Sequence, residues 1–315
     1  MVRLVFACDV HGSEQVWKKW IKFSQIHHPD FLLMAGDVTG KAIVPLVKKS
    51  DGTWFCSWGR REGILKSAKE LEEMKTLIKS RGFYPYETTE QECEELKNDE
   101  KKRHQLFENL MIDTMVEWLK FAEERTPKTT TIIVNPGNDD SDTIDATIRN
   151  NGRVIYPLDK AVPMGRFEMV SCEYVNPSPW NTPRELPEEE LEKKLDGIAS
   201  QVDNSDSLIC NFHAPPFGTK LDVAPILDKE LRPKTRLGQV MMEHVGSKAV
   251  RNFFEKRKPF LGLHGHIHES NGFDRVGSAL CFNPGSEYNK GMLRAFIIDL
   301  PDSTTGKIEY LYAQV

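Results

Sequence analysis

Short apolar runs and amphipathic segments alternate along the chain. Runs rich in valine, isoleucine and phenylalanine predict β-strands at residues 2–8, 31–35, 131–135, 207–212 and 260–264. Between the first two runs, Val16, Trp20, Phe23 and His27 recur at helical spacing and predict an amphipathic helix. A strand, a helix and a second strand in this order indicate a βαβ unit, and therefore an α/β fold built around an open sheet.

The second half of the chain is richer in strands than the first. Four further runs predict strands at residues 166–175, 278–282, 293–299 and 306–312. A helix is predicted at about 188–203, where apolar residues line one face. Another is predicted to begin after Ser247, a residue suited to a helix N-cap, and to end before Pro259. These elements continue the α/β pattern of the first half.

Residues 41–128 differ from the rest, and we predict that they form a mainly helical insertion within a single domain spanning 1–315. They contain one strand-like run at 54–56 and two long helical patterns at about 62–80 and 90–125. Positive and negative charges are closely interleaved along them. Such interleaving is typical of a solvated helix face.

The composition restricts the class of protein. At 315 residues and 39% hydrophobic content, the chain is long enough for one large domain with a well-buried core. A net charge of −5 argues against a dedicated nucleic-acid-binding protein. The six cysteines include no C-x-x-C pair, which indicates a reducing compartment. Because the first strand starts at residue 2 and no apolar stretch approaches the roughly 20 residues of a membrane span, we expect a cytoplasmic protein without a membrane partner.

Polar residues of a particular kind follow the predicted strands. In chain order they are Asp9 and His11, Asp37, Asn138 to Asp140, His213, and His266 and His268. Ligands collect beyond the carboxyl ends of the strands in an open α/β sheet, so we expect these side chains to converge. Carboxylate, imidazole and amide groups together suit Mn²⁺, Fe or Zn²⁺ better than Ca²⁺. Two such ions, about 3.5–4 Å apart, can clamp a phosphate and ionise a water between them.

These residues carry a resemblance to the calcineurin-like metallophosphoesterase superfamily, which runs from Val2 to about Val315. The family pattern is D-x-H, G-D, G-N-H-[DE], a lone histidine and G-H-x-H, and the chain matches all of it except one letter. Further segments resemble the Icc-like branch, predicted phosphoesterases related to a cyclic-nucleotide phosphodiesterase: residues 180–185, 213–222, 244–247, 265–270 and 283–286. The resemblance implies a four-layer α/β/β/α sandwich with metals at the loops beyond the strand ends and the helical insertion packed outside it.

The resemblance also implies how two divalent metal ions are held. The ligands of the first ion would be Asp9, His11, Asp37 and His268. The ligands of the second ion would be Asp37, Asn138, His213 and His266. Asp37 then bridges the two ions, a role that needs a carboxylate because two oxygens must face two cations.

The chain departs from the family pattern at Asp139. The family has a histidine there that contacts the phosphate and protonates the leaving oxygen, whereas an ordinary carboxylate is ionised at neutral pH. Asp139 is kept protonated by Asp140 and the phosphate, or it contacts a metal or a water from outside the ligand set, or the reaction needs no acid at this position. We favour the last two interpretations, since nearby cations oppose protonation. The candidate catalytic residues are Asn138, Asp139 and His264, the last as an alternative proton donor, as support for a metal ligand or as a plain strand-end residue.

The predicted function is hydrolysis of phosphodiesters or cyclic nucleotides by attack of a hydroxide that bridges two metals. A diester carries one negative charge fewer than a monoester, so an acidic loop repels it less. The alternatives are a metal-binding scaffold with little activity and a nuclease. The expected partner is a small phosphoester or nucleotide, and residues 41–128 offer a route to an oligomer. If that segment forms a lid or dimer surface, Arg60 and Arg61 are its natural phosphate contacts.

Overall fold

The structure is a computed structural model that describes residues 1–59, 61–303 and 306–315. Arg60, one of the two arginines considered as phosphate contacts, lies outside the described residues. The strands are β1 (Val2–Cys8), β2 (Phe31–Ala35), β3 (Ile43–Lys48), β4 (Trp54–Trp58), β5 (Arg61–Leu65), β6 (Tyr84–Thr89), β7 (Thr131–Asn135), β8 (Val154–Ile155), β9 (Val162–Met164), β10 (Phe167–Cys172), β11 (Leu208–Phe212), β12 (Val223–Pro225), β13 (Thr235–Arg236), β14 (Gln239–Val240), β15 (Met242–His244), β16 (Leu261–Leu263), β17 (Gly272–Val276), β18 (Ala279–Asn283), β19 (Arg294–Leu300) and β20 (Glu309–Gln314). The α-helices are α1 (Glu14–His27), α2 (Ala68–Ser80), α3 (Glu90–Asn98), α4 (Glu100–Arg125), α5 (Asp145–Arg149), α6 (Glu188–Ala199) and α7 (Lys248–Arg257).

A six-stranded sheet in the order β20-β19-β1-β2-β7-β8 forms one half of the core. β1, β2, β7 and β8 run parallel, whereas β19 and β20 are antiparallel to their neighbours. The register places Val5 beside Leu32, and Leu32 beside Ile132. Continuous apolar runs of this kind are typical of parallel strands that are buried on both faces. The strands predicted at 2–8, 31–35 and 131–135 are therefore confirmed with their bounds.

A second six-stranded sheet, in the order β17-β18-β16-β11-β10-β9, forms the other half. Its four inner strands run parallel and the two edge strands are antiparallel. Two strands of this sheet are clearly shorter than predicted. The strand predicted at 166–175 is observed at Phe167–Cys172, and the strand predicted at 260–264 is observed at Leu261–Leu263. The residues left over enter the loops at the strand ends.

The two sheets face each other across an apolar layer. Leu4, Phe6 and Leu33 of the first sheet share a buried cluster with Leu261 and Phe282 of the second. On the outer face of the first sheet, α1 and α4 cover a second cluster, and α6 and α7 cover a third on the outer face of the second sheet. Alternate residues of a strand point to opposite faces, which is why one strand contributes to two layers. The predicted four-layer α/β/β/α sandwich is confirmed.

Residues 41–128 contain more β-structure than the sequence predicted. β3 to β6 form a four-stranded sheet in the order β5-β4-β3-β6, where only one strand was expected. The helix predicted at 62–80 begins at Ala68, because residues before it form β5. The helix predicted at 90–125 is two helices, with Asp99 as the N-cap of the second. That second helix, α4, buries Trp118 in the outer layer of the first sheet. The domain boundaries of the insertion stay a prediction.

A second feature that the sequence did not predict is an arm between residues 223 and 244. Short strand pairs, β12 with β15 and β13 with β14, hold it together. Leu237 at its tip is 98% exposed. Among the described residues, none of the helices combines the length and the hydrophobicity needed to traverse a bilayer.

Candidate metal centre

The residues predicted as metal ligands converge where five strands end. β1, β2 and β7 of the first sheet and β11 and β16 of the second lead into the loops that carry them. The N–H of Asp9 donates to the carbonyl of Gly36 at 3.1 Å, and the N–H of Gly36 donates to the carbonyl of Asn135 at 3.0 Å. The N–H of Gly265 donates to the carbonyl of His213 at 3.0 Å. Backbone hydrogen bonds therefore tie the loops of each sheet together.

Several of these loop residues have a backbone conformation that is rare outside glycine. The φ angles of Asp9, His11, Asp37 and His266 are 54°, 40°, 46° and 66°. Each such residue costs on the order of 1–3 kcal/mol and persists only where its surroundings hold it. Strained backbone residues cluster at functional sites, where the position of a side chain is kept at the expense of local backbone preference.

Two glycines allow the loops to approach closely. A Cβ on Gly36 would lie 2.2 Å from Nδ1 of His213, and Gly36 also has a φ of +84°. A Cβ on Gly137 would lie 2.3 Å from Oδ1 of Asp37. A side chain at either position would therefore displace a predicted ligand.

The first group of predicted ligands surrounds Asp9. The ligand atoms of Asp9, His11 and His268 all lie within 4.8 Å of one another. Nε2 of His11 and Nε2 of His268 are 3.0 Å apart, and Nε2 of His268 is 3.7 Å from Oδ1 of Asp9. Nε2 of His11 also lies 3.5 Å from Oδ2 of Asp37. These are the four residues that the resemblance assigns to the first ion.

The second group surrounds Asp37. The ligand atoms of Asp37, His213 and His266 likewise lie within 4.8 Å of one another. Nε2 of His213 is 3.5 Å from Oδ2 of Asp37, the same oxygen that lies near His11. Asp37 thus stands between the two groups, which is the position that a bridging carboxylate needs.

Metal ligands must be ionised carboxylates and neutral imidazoles, and both carboxylates and the imidazoles of His11 and His266 have pKa values shifted in that direction. Burial raises the pKa of Asp9, but the contacts with His268 and His213 outweigh it and hold the pKa at about 2. Burial also raises the pKa of Asp37, but His213 outweighs it and keeps the pKa well below its usual range. Burial lowers the pKa of His266 to about 4. His213 and His268 are the exceptions. Asp37 outweighs burial and raises the pKa of His213 to about 9, and Asp9 outweighs burial and raises the pKa of His268 above its ordinary value.

Buried polar atoms without partners test whether the residues fit metal ions. Nδ1 of His11, Oδ1 of Asn138 and both ring nitrogens of His213 are buried and have no hydrogen-bond partner in the part of the chain that the structure describes. A buried polar atom left in this state costs about 1–3 kcal/mol. Two carboxylates, four imidazoles and one amide oxygen form a donor set for Mn²⁺, Fe or Zn²⁺. The residues therefore fit divalent metal ions.

The carboxylate of Asp139 is paired with a lysine. The ammonium group of Lys41 contacts Oδ2 of Asp139, and the same oxygen lies 3.7 Å from Nδ1 of His11. Burial lowers the pKa of Lys41, but Asp37 and Asp139 outweigh it and raise the pKa above its ordinary value. Lys41 is therefore positively charged at neutral pH. Its contact with Asp139 opposes the interpretation that this carboxyl group is kept protonated.

The carboxylate of Asp140 is held by hydrogen bonds from the surrounding loops. It accepts hydrogen bonds from the backbone N–H groups of Val38, Thr39 and Gly137 at 2.8–2.9 Å and from the hydroxyl of Thr39 at 2.6 Å. Burial raises the pKa of Asp140 to about 6, which leaves it mostly ionised at neutral pH. The role that these contacts support is structural, because Asp140 joins two of the loops that carry predicted ligands.

His264 lies among apolar side chains of the second sheet. Its ring is 1% exposed and packs 5.5 Å from the ring of Phe254. Nδ1 donates to the carbonyls of Phe212 at 2.8 Å and Ala214 at 3.0 Å, the two residues that flank His213. Burial lowers its pKa to about 4. These contacts favour support of His213 over the predicted alternative of a proton donor.

Several residues at the site could not be identified from the sequence. Lys41 follows the second motif by four positions, but its partner Asp139 is 98 residues away. The ring of Tyr288 lies 4.7 Å from the ring of His11, and Tyr288 lies outside the segments identified in the sequence. Thr182 accepts a hydrogen bond from Nδ2 of Asn138 at 2.8 Å. The only sequence signal for Thr182 was the resemblance of residues 180–185 to the Icc-like branch.

Comparison with known sequences gives a partial match. No family model matches the chain. The uncharacterized protein MJ1162 of Methanocaldococcus jannaschii is 36% identical over 112 residues, which are 35% of this chain and 44% of that protein. The match therefore spans less than half the length of that relative.

Solved structures align over almost the whole chain. One crystal structure matches with a TM-score of 0.56 at 17% identity over 98% of both chains. TT1561 of Thermus thermophilus matches with a TM-score of 0.50 at 11% identity over 98% of this chain and 97% of that one. A likeness at such low identity concerns the fold alone. The chain shares the fold of these structures, which agrees with the α/β/β/α sandwich that the resemblance to the calcineurin-like metallophosphoesterases implied, while the Icc-like branch stays a prediction.

Proposed function

We propose that this protein is a metal-dependent phosphoester hydrolase that holds two divalent ions, Mn²⁺, Fe or Zn²⁺, and acts on phosphodiesters or cyclic nucleotides. The observation that carries the proposal is the position of Asp37, whose Oδ2 lies 3.5 Å from both His11 and His213 and so faces both ligand groups. The buried atoms of His11, Asn138 and His213 that lack partners support it.

The bound ions would supply an activated water and positive charge for the reacting phosphate. The chain itself orients the ligands. The N–H of Asp139 donates to Oδ1 of Asp37 at 2.9 Å, which leaves Oδ2 toward the histidines. The N–H of His266 donates to both oxygens of Asp9 at 3.2 Å. Backbone donors of this kind hold ionised carboxylates at fixed angles.

Lys41 supplies the phosphate contact that the family histidine would make. The side chain of Lys41 is 33% exposed, and its ammonium group contacts the carboxylate of Asp139. In this role Asp139 positions Lys41 and does not donate a proton. Because Asp139 offsets the charge of Lys41, the pair adds no net positive charge to balance the second negative charge of a monoester. A diester, which carries one negative charge, is therefore favoured. Without an acid at this place, esters with good leaving groups should react fastest.

The proposal is tested by metal analysis together with hydrolysis of bis(p-nitrophenyl) phosphate. The purified protein is stripped with a chelator and reloaded with Mn²⁺, Zn²⁺ or Fe²⁺ separately. We expect about two ions per chain and hydrolysis that disappears on stripping and returns on reloading. Two bound ions without any hydrolysis of diesters, monoesters or cyclic nucleotides would support the scaffold alternative. Tight binding to duplex DNA at physiological salt would support the nuclease alternative.

The compartment and the partner are further parts of the proposal. All six cysteines are free thiols, and five of them are buried. Free thiols support a reducing, cytoplasmic location. The proposed partner is a small phosphoester or nucleotide. An oligomer formed through residues 41–128 is kept as a prediction, and the oligomeric state in solution by light scattering is its test.

A further inference from the structure

The loop between β10 and α6 encloses the loop that carries Asn138. The backbone N–H of Arg184 donates to the carbonyl of Asn138 at 3.1 Å. The side chain of Arg184, which is 2% exposed, donates to the carbonyl of Asp140 at 3.0 Å and to Oδ1 of Asp145 at 2.7 Å. These contacts join the two loops through the buried guanidinium group of Arg184. The loop of Arg184 therefore supports the Asn138 loop from outside the ligand set.

Within this loop, Glu185 is the final acceptor in a chain of hydrogen bonds that runs from Asn138 through Thr182. Oε1 of Glu185 accepts from the hydroxyl groups of Thr182 at 2.7 Å and Ser178 at 2.6 Å and from the N–H of Thr182 at 2.9 Å. Burial raises the pKa of Glu185, but these hydrogen bonds outweigh it and lower the pKa below its usual value. An ionised carboxylate can only accept hydrogen bonds. The single hydroxyl proton of Thr182 is therefore committed to Glu185.

The hydrogen bond from Thr182 to Glu185 determines the orientation of the Asn138 amide. Because the hydroxyl of Thr182 donates to Glu185, its lone pairs are left to accept, and Nδ2 of Asn138 donates to them at 2.8 Å. The amide nitrogen thus lies on the side of Thr182. The amide oxygen, Oδ1, is buried and has no hydrogen-bond partner within the described ranges 1–59, 61–303 and 306–315.

We propose that Glu185 and Thr182 are positioning residues that orient the amide of Asn138 so that its oxygen faces the second metal position. This inference rests on the proposed function, since it concerns one ligand of that site. The opposite orientation of the amide would present two N–H groups to a cation, which repels it. Residues that orient a ligand in this way typically change metal affinity about 10–100-fold when they are removed.

The first experiment compares Thr182→Val with Thr182→Ser by titration of the stripped protein with Zn²⁺ alone in competition with a chelator. Valine has nearly the same shape as threonine but neither donates nor accepts, so one of the two binding constants should fall about 10–100-fold. Serine keeps the hydroxyl group and should restore that constant to within about threefold of the natural protein. Circular dichroism and thermal melting of the stripped variants show whether both remain folded.

The second experiment separates orientation of the amide from general support of the loop. In Asn138→Asp the ligand is a carboxylate, which presents oxygen in either orientation. Adding Thr182→Val to Asn138→Asp should therefore change Zn²⁺ affinity by less than about threefold, against the 10–100-fold change in the natural background. A merely structural role would give the same loss in both backgrounds. If Thr182→Val is unstable, Thr182→Ala, which also removes the hydroxyl group, takes its place in both backgrounds.

The outcomes distinguish this inference from the proposed function. If the natural protein binds two Zn²⁺ ions and Thr182→Val binds both with unchanged constants, the orienting role is wrong and the proposed function stands. If the loss in Asn138→Asp equals the loss in the natural background, the orienting role is also wrong. If the natural protein binds no metal, both the proposed function and the orienting role are overturned.

Discussion

Replacing Lys41 with methionine removes the cation that we place beside the substrate phosphate and preserves most of the apolar stem. The ammonium group contacts Asp139 and the side chain is 33% exposed, so water screens its charge only in part. The loss to be expected is that of one charge-assisted hydrogen bond, about 2 kcal/mol. Since about 1.4 kcal/mol corresponds to a factor of ten, kcat/KM for bis(p-nitrophenyl) phosphate should fall about 30-fold.

The structure also predicts how Lys41 and Asp139 depend on each other. In Lys41→Met the carboxylate of Asp139 is left unpaired near the phosphate and repels it. Asp139→Asn removes that repulsion, and a partly exposed ion pair is coupled by about 0.5–1 kcal/mol. The double variant should therefore recover about 2–5-fold and end near tenfold below the natural protein. Asp139→Asn alone should stay within about threefold, because in this arrangement Asp139 only positions Lys41.

The assay is kcat/KM at saturating Mn²⁺ for diesters whose leaving groups differ in pKa, with bound metal measured in each variant. Lys49→Met is the matched control, since the Lys49 side chain is 34% exposed and pairs with Glu90, the first residue of α3. The reasoning is refuted if Asp139→Asn with both metals bound loses activity steeply toward poor leaving groups, because Asp139 would then donate a proton. It is also refuted if Lys41→Met reacts as fast as Lys49→Met.

Three further predictions concern the ligands and the loops. Asp37→Ala should abolish diester hydrolysis and lower the occupancy of both metals together, whereas His11→Ala should weaken mainly one; two metals retained in Asp37→Ala by elemental analysis would contradict the bridging role. Gly36→Ala should lose metal binding because its Cβ meets the His213 ring at 2.2 Å, while Gly277→Ala, with a φ of +60° and open space around it, should keep it in the same titration. The raised pKa of His213, about 9, means that this ring is protonated in the metal-free protein at neutral pH. Metal must displace that proton, so affinity should rise about tenfold per pH unit from 6.5 toward 9, and calorimetry in two buffers should detect its release; an affinity that is independent of pH would refute this.

Much of the fold could be predicted because its signals are local. Each strand of the first sheet between residues 2 and 135 is a continuous apolar run, and the amphipathic helix α1 lies between the first two. The four-stranded sheet could not be predicted in the same way. β5 is almost entirely exposed and β3 contains Pro45, which usually indicates an edge strand or no strand. Those strands are held by pairing with one another, which leaves little trace in hydrophobicity.

The choice among the interpretations of Asp139 depended on neighbours that are distant in sequence. The family pattern identifies the position, and a carboxylate there permits several roles. The contact with Lys41 and the hydrogen bonds of Asp140 to the loop after β2 reduce those roles. For His264 the sequence left three roles open, since the direction of a side chain at the end of a strand depends on where pairing stops. Its contacts with Phe212 and Ala214 favour a supporting role.

By itself the sequence determined which residues stand at the strand ends and in what order, because strand formation and the residue that follows each strand are local properties. The carboxyl ends of parallel strands lie at the same edge of a sheet, so the convergence of those residues followed from the pattern. Only the tertiary structure decided which groups lie beside the ligands. The contact of Lys41 with Asp139 and the hydrogen bonds from Glu185 through Thr182 to Asn138 join loops that lie apart in sequence. Contacts of this kind depend on how the two sheets and their loops pack against each other.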